Sequence, residues 1–325
     1  MITEKENVLR LFRGDKSPEW IPIVEKCMHI MIPSVVFERP KWETGKDWFG
    51  CEWYYDEESH GHTPMPGAEF VLDDITEWRD KVVFPDLDAI DFEAAAKEDL
   101  ADVDRENKAI LLFWESGPFE RSHHLLGFEN AFVAMYEEPE AYAELTMAIA
   151  QWRAEAMTRC FKAYKPDFVF SHDDLGHAHA PFMSIDTYRK FIKPCHKLVI
   201  DAVHDVGVLY VNHSCGCMQQ YIGDLIEIGV DAINPLQGDP VNNVEQVAKD
   251  FAGKVVFQGG IAPFIHNPGT TEEQLRAEVR KVCDLFAPSK SLILDLQSLG
   301  PGVTDILLDE SEKYGFDYWR RNGYE

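Results

Sequence analysis

The chain has 325 residues, 45% hydrophobic and 12% aromatic, enough apolar material for one large core or two small ones. Its 57 acidic against 31 basic residues give a formal net charge of −26, with no Lys/Arg cluster, which argues against nucleic acid and anionic membrane as partners. No run approaches the roughly 20 apolar residues of a membrane span, and the opening MITEKENVLRLFRGDK holds no apolar signal core.

The seven cysteines are odd in number and only one pair is closely spaced. The expectation is a cytoplasmic protein of a reducing compartment without a disulfide framework.

Residues 1–14 read as a short amphipathic helix through Val8, Leu9, Leu11 and Phe12. Ile21–Val24 is the candidate first strand, with Glu25 at its exit. Residues 39–85 are dense in Pro, Gly and aromatics, too long and too aromatic for a linker, and read as a lid or binding loop. There Trp53, Tyr54 and His62 are candidate substrate contacts, beside Trp48, Phe49, Tyr55 and His60. The plainer alternative is a packed excursion beneath the main domain.

Residues 87–105 are acidic and helical in tendency. From residue 109 a regular alternation begins. The predicted strands are 109–114, 168–174, 208–213, 232–235, 255–260 and 291–296. A polar turn covers 115–121, and helices cover 123–136, 138–164 and 185–206. Ser184 caps the last of these and Pro194 kinks it. A further helical pattern runs from Met218 to Gly229. Thr270 with Glu273 makes a capping box ahead of EEQLRAEVRKVCDLF, and a last helix covers 304–314.

Short strands alternating with helices predict an α/β fold with a parallel sheet. No glycine-rich phosphate fingerprint opens a helix, which disfavours a nucleotide-binding doubly wound sheet. The expected architecture is a (β/α)8 TIM barrel forming one domain over 1–325, with an irregular, aromatic-rich excursion and lid over 1–105 and the main barrel over 106–325. Seven strands are visible, and the eighth is assigned to the amino-terminal third.

Active sites of such barrels lie at the carboxyl ends of the strands. Those ends carry Glu25, Glu115, His172–Asp174, His213–Cys217, Gln237 and Asp295–Ser298. His213 and Cys215, two apart on a strand, face the same way, and imidazole with thiolate suits zinc. The alternative is a buried histidine and two small apolar cysteines. Cys217 is expected in the first turn of the next helix, where the helix dipole lowers a thiol pKa. In SHDDLGHAH, the candidates for acid, base or orienting roles are Asp173, Asp174 and His177. His213 and Glu115 join them, and Gln237 is a candidate substrate contact. Ser122–Gly127 (SHHLLG) has the spacing of a corrinoid-binding DxHxxG motif but no Asp, so the chain is not expected to carry its own cobalamin.

HSCG followed by DLIEIGVDAINPLQ, KVVFQGGI, GTTEEQ and a final helix before KYG resembles the uroporphyrinogen decarboxylase superfamily. FVFSHDDLG and MSIDTYRKFIKP fit the same series, over about residues 165–315. The resemblance implies a (β/α)8 barrel. The true decarboxylases carry an arginine-rich amino-terminal motif, whereas no arginine stands between Arg13 and Arg39 here.

The other branch comprises corrinoid-dependent methyltransferases. Their coenzyme M type holds zinc with a His-x-Cys pair, matched by His213 and Cys215, and a distant Cys near the last strand. No Cys stands there; the position falls near Gln297 or Ser298. Cys217, Asp173, Asp174 or Gln297 are then the candidate third ligands.

The aromatic loop and the incomplete zinc triad are most similar to the methyltransferases of anaerobic O-demethylases. This implies transfer of a methyl group from an aryl methyl ether to the Co(I) corrinoid of a separate protein. The alternatives are a uroporphyrinogen decarboxylase, a methylcobamide:thiol methyltransferase, and a non-catalytic scaffold that kept the barrel.

Overall fold

The computed structural model describes residues 2–14, 16–58, 61–296 and 302–324. Its centre is a curled parallel sheet of seven strands: β1 (Met28–Met31), β2 (Ala109–Trp114), β3 (Phe168–His172), β4 (Leu209–His213), β5 (Ala232–Leu236), β6 (Val256–Gly259) and β7 (Leu292–Ile293). They lie side by side in chain order. Helices fill the connections, as parallel pairing requires, and the mixed α/β class expected from the alternation holds.

The sheet curls until its edges approach. A parallel bridge joins Ile23, just ahead of β1, to Leu294, just after β7. The Val24 N–H donates to the Leu294 carbonyl at 2.9 Å, and the Leu294 N–H donates to that of Pro22 at 2.9 Å. Ile21–Val24 is therefore not the strand expected there. Only Ile23 pairs; one helical turn (Val24–Cys27) intervenes, and the strand begins at Met28. Among the described residues the main sheet has seven strands and this bridge rather than eight.

Strand alternation sorts the side chains into two cores. One face buries Ala109, Leu111, Phe168, Phe170, Val211, Ala232, Val256 and Ile293 inside the curl. Helix α1 (Glu4–Leu9) and the turn after it plug its lower end with Val8, Leu11 and Phe12. The Phe12 ring meets Phe168 edge-on at 5.2 Å. The opposite face (Ile110, Leu112, Trp114, Val169, Tyr210, Phe257, Leu292) packs under the surrounding helices. Each fully buried Phe or Leu contributes roughly 1.5–3 kcal/mol.

The stretch expected to be one helix over 123–136 is two, α2 (Pro118–Leu126) and Phe128–Glu137, separated at Gly127. Gly127 has φ +89°, and a Cβ there would lie 2.6 Å from Phe70. Helix α3 (Pro139–Tyr164) follows as expected, and the Pro194 kink is a break between Ile185–Phe191 and α4 (Lys193–Asp205). The capping box sits one residue later than expected, Thr271 with Gln274.

The amino-terminal excursion is more regular than its composition suggests. It contains a three-stranded antiparallel sheet, Gly45–Lys46, Glu52–Asp56 and Gly61–Pro64.

Candidate active site

Above the apolar filling of the curl, the inward positions turn polar. Following Phe168 and Phe170, β3 points His172 inward and then Asp174; following Val211, β4 points His213 and then Cys215. Register sets these side by side, His172 opposite His213 and His213 opposite Asn234 of β5. The two imidazoles stack at 4.5 Å with planes 16° apart.

Their outer nitrogens are held. His172 Nδ1 lies 2.5 Å from Glu120 Oε2. His213 Nδ1 lies 2.7 Å from Asn234 Oδ1, and the Asn234 amide donates to Asp295 at 2.8 Å, as Gln258 does at 2.9 Å. Both Nδ1 atoms therefore donate, and both Nε2 atoms face inward. His172 Nε2 is 3.8 Å and His213 Nε2 3.9 Å from Asp174 Oδ1. Cys215 Sγ is 3.5 Å from His213 Nε2. One ligand atom each from His172, Asp174 and His213 lie within 4.8 Å of one another.

Burial pushes His213 down to about 3, with His172 adding to the effect. Burial works against charge on His172 too, but the Glu120 carboxylate outweighs it and raises that imidazole's pKa. Burial likewise opposes charge on Glu120, yet His172 holds its carboxyl well below the usual range. Both shifts favour the charged form of each partner. Burial raises Asp174, and burial with the neighbouring Asp174 pushes the Cys215 thiol up to about 12.

Glu120 reaches the site because α2 starts against the end of β3. The Gly117 N–H donates to the His172 carbonyl at 2.7 Å. Asp173, pointing opposite to His172 and Asp174, receives the N–H groups of Phe119 (3.2 Å) and Glu120 (2.8 Å), and His196 Nε2 lies 2.8 Å from it. A Cβ on Gly117 would collide with Asp173 at 2.3 Å. Asp173 is 2% exposed and serves the helix start, away from the converging donors.

The other expected residues separate. Glu115 meets the Arg39 guanidinium at 3.3 Å, and Arg39 also lies 3.7 Å from Glu120. His177 is exposed on the two-stranded hairpin Gly176–His177 and Ala180–Pro181. Cys217 is outside a helix, its thiol donates to the Val241 carbonyl at 3.0 Å, and burial raises its pKa instead of a dipole lowering it. The Gln237 side chain accepts the Gly216 N–H at 2.8 Å. Gln297, Ser298 and His60 lie outside the described residues.

Of the aromatic wall, Trp53 is 1% exposed and donates to Asp47 at 2.9 Å, with Arg39 over its ring at 4.8 Å. Trp48 and Phe49 pack on Trp152. Tyr54 is exposed, on the opposite face of its strand from Trp53. His62 lines a cavity of about 700 Å³, with Ile30, Ile32, Arg39, Trp42, Phe113 and Glu115 among its other walls. The four donors are not in that lining. Phe113 connects the two, its ring 6.1 Å from that of His172, and Arg39 joins Glu115 to Glu120. His172, Glu120, Arg39, Asn234 and Asp295 are the site residues that the sequence reading did not assign roles. For His172 a signal existed, since Phe168, Phe170, His172 and Asp174 share one strand parity.

The uroporphyrinogen decarboxylase family model matches residues 50–302, and the chain belongs to that family. Among solved structures, a methyltransferase from Methanosarcina mazei superposes with a TM-score of 0.72 at 13% identity, covering 97% of this chain and 99% of that one. This likeness is one of fold. An intracellular xylanase from Thermoanaerobacterium saccharolyticum gives a TM-score of 0.38 at 11% identity over 62% of this chain and 69% of its own. A dihydropteroate synthase from Anaplasma phagocytophilum gives 0.36 at 14% identity over 62% and 71%. A search of curated proteins finds no match.

Proposed function

We propose that this protein is a corrinoid-dependent methyltransferase that takes the methyl group of an aryl methyl ether and passes it to the corrinoid of a separate protein. One observation carries the reading: imidazole, thiol and carboxylate donors converge at the strand ends beside a mostly apolar cavity of about 700 Å³. A cavity of that size suits a donor with an aromatic ring and is far larger than methanol or a methylamine requires.

The donor chemistry fits zinc. His213 Nε2 presents its lone pair, because Nδ1 is committed to Asn234. Glu120 behind His172 is the carboxylate-on-histidine support typical of such sites. His172, His213, Asp174 and Cys215 would hold the ion, with Cys215 losing its proton. Zinc supplies a Lewis acid toward the ether oxygen.

The chain's own groups do the rest. Phe113, Ile30 and Trp42 give the cavity apolar walls against which a flat ring can lie. Arg39, fixed between Glu115 and Glu120 and stacked on Trp53, places a permanent positive charge beside the developing phenolate. Glu115 sits at the junction, able to exchange a proton with the leaving oxygen. Arg39 and Lys41 are the Lys/Arg side chains lining the cavity, too few for the many carboxylates of a porphyrinogen, which disfavours the decarboxylase reading.

The test is spectroscopic. The protein is mixed with a reduced corrinoid protein and a panel of aryl methyl ethers, methanol, methylamines and methyl thiols, and corrinoid absorbance is followed. Methylation from aryl ethers is expected. Methylation from methanol alone, or from no donor, would overturn the reading.

A further inference from the structure

Helix α2 carries a second set of metal-competent side chains that the four donors above leave unused. Glu120, His123 and His124 stand at i, i+3 and i+4, neighbouring positions on a helix surface. Each offers a ligand atom within 4.8 Å of the others. Among the described residues neither imidazole has a hydrogen-bond partner. His124 is 8% exposed, and its Nδ1 is enclosed with nothing to bond. The contacts of these rings are with other rings: His124 with Trp53 at 4.6 Å and with His123 at 4.5 Å, His123 with Phe119 at 5.1 Å and Phe128 at 5.3 Å. An enclosed polar nitrogen left unpaired is costly, and native proteins match such groups with a partner, a water or an ion.

We propose that Glu120, His123 and His124 form a second divalent-cation site, for a borderline metal such as zinc, joined through Glu120 to the His172–Asp174–His213–Cys215 set. Two imidazoles and a carboxylate are a donor set that zinc accepts. Glu120 is the joint, with Oε2 at His172 Nδ1 (2.5 Å) and Oε1 at 3.7 Å from Arg39. The same carboxylate that orients His172 would ligate the second ion, so occupancy at one site alters the other. The Arg39 guanidinium repels a cation here, which makes this the weaker of the two sites. The inference does not depend on the identity of the methyl donor.

The probe is Co(II) alone, titrated into the metal-free full-length chain and followed by absorption. Two ions per chain are expected. The tighter shows thiolate-to-cobalt charge transfer that disappears in Cys215→Ser. The weaker shows only ligand-field bands, persists in Cys215→Ser, and loses at least about tenfold in affinity in His123→Gln and in His124→Gln. Far-UV circular dichroism checks folding, and His123→Phe, which keeps the ring packing, replaces a glutamine variant that fails to fold. A single ion unaffected by any of these histidine variants overturns the proposal, as does a second ion that survives them all.

Discussion

Two buried polar clusters lie within one helical turn of each other and differ in kind. In the first, Arg121 faces Glu38 at 2.6 Å and Asp47 at 2.5 Å, and Arg153 reaches Glu38 at 3.3 Å. Trp114 donates to Glu38 and Trp53 to Asp47, each at 2.9 Å. Two cations meet two anions, every one at most 6% exposed. In the second, beginning at the adjacent Glu120, the Nε2 atoms of His172 and His213, an Asp174 oxygen and Cys215 Sγ face one another across a gap, and burial displaces His213 and Cys215 far from their ordinary pKa values. The first cluster is charge-balanced and fastens the excursion to α2 and α3. The second is left unbalanced toward its centre, which is the condition for binding something there. Asp173 and Asp174 repeat the contrast in consecutive residues.

The largest expected effect tests the balanced cluster. Glu38→Ala leaves two buried guanidinium groups facing the single carboxylate of Asp47 and should cost roughly 3–5 kcal/mol, read from urea denaturation. A loss below about 1 kcal/mol would mean that water replaces the carboxylate and that the cluster is not a fastening. His213→Ala tests the other side: methyl transfer should fall about 100-fold or more with the urea midpoint nearly unchanged. Equal losses of stability and activity would erase the distinction.

Asn234→Ala removes the acceptor behind His213 together with the amide's donation to Asp295, and should weaken zinc binding about 10- to 100-fold, by competition with a chelator. The same assay has a pH dependence with a defined sign. Cys215 is pushed up to about 12, so it holds a proton near neutrality that the ion must displace, and the raised His172 acts in the same direction. Affinity should therefore rise with pH, by about one logarithmic unit per pH unit between about pH 6 and 8. A flat profile would remove Cys215 from the ligand set.

The smallest effect belongs to a pair nearer the surface. Arg189, and then Lys193, hold the Asp224 carboxyl below the ordinary aspartate value of 3.8. A depressed carboxylate stabilises the fold above its unfolded pKa, and that contribution is lost as pH falls through the folded one. Asp224→Asn should cost about 1 kcal/mol at pH 7, since Arg189 is half exposed. The difference from wild type should fade below about pH 3.8. A gap that persists at lower pH would assign the loss to packing.

Strands β2 to β6 were legible because buried parallel strands write themselves as runs such as AILLFW and FVFSH. The first strand was not, because IPIV is the more apolar run while MHIM does the pairing: Met28 aligns with Ala109, a partner 81 residues away. The Glu52–Asp56 strand hid in a segment whose aromatics suggested irregular structure. Within the site, His213 and Cys215 followed from a local period of two. His172 opposite His213 is a matter of register between strands some 40 residues apart, and Glu120 and Arg39 arrive from other elements altogether.

By itself, then, the sequence determined what local rules can carry: the alternation of strands and helices, the polar ends of the strands, and the shared face of His213 and Cys215. The tertiary structure decided which of two adjacent aspartates looks inward, that Trp53 supports Arg39 from within the core, and that Glu120 stands behind His172. Those outcomes depend on strand register and on where helices dock, which arise from packing summed over the whole chain and leave no mark on any single stretch of it.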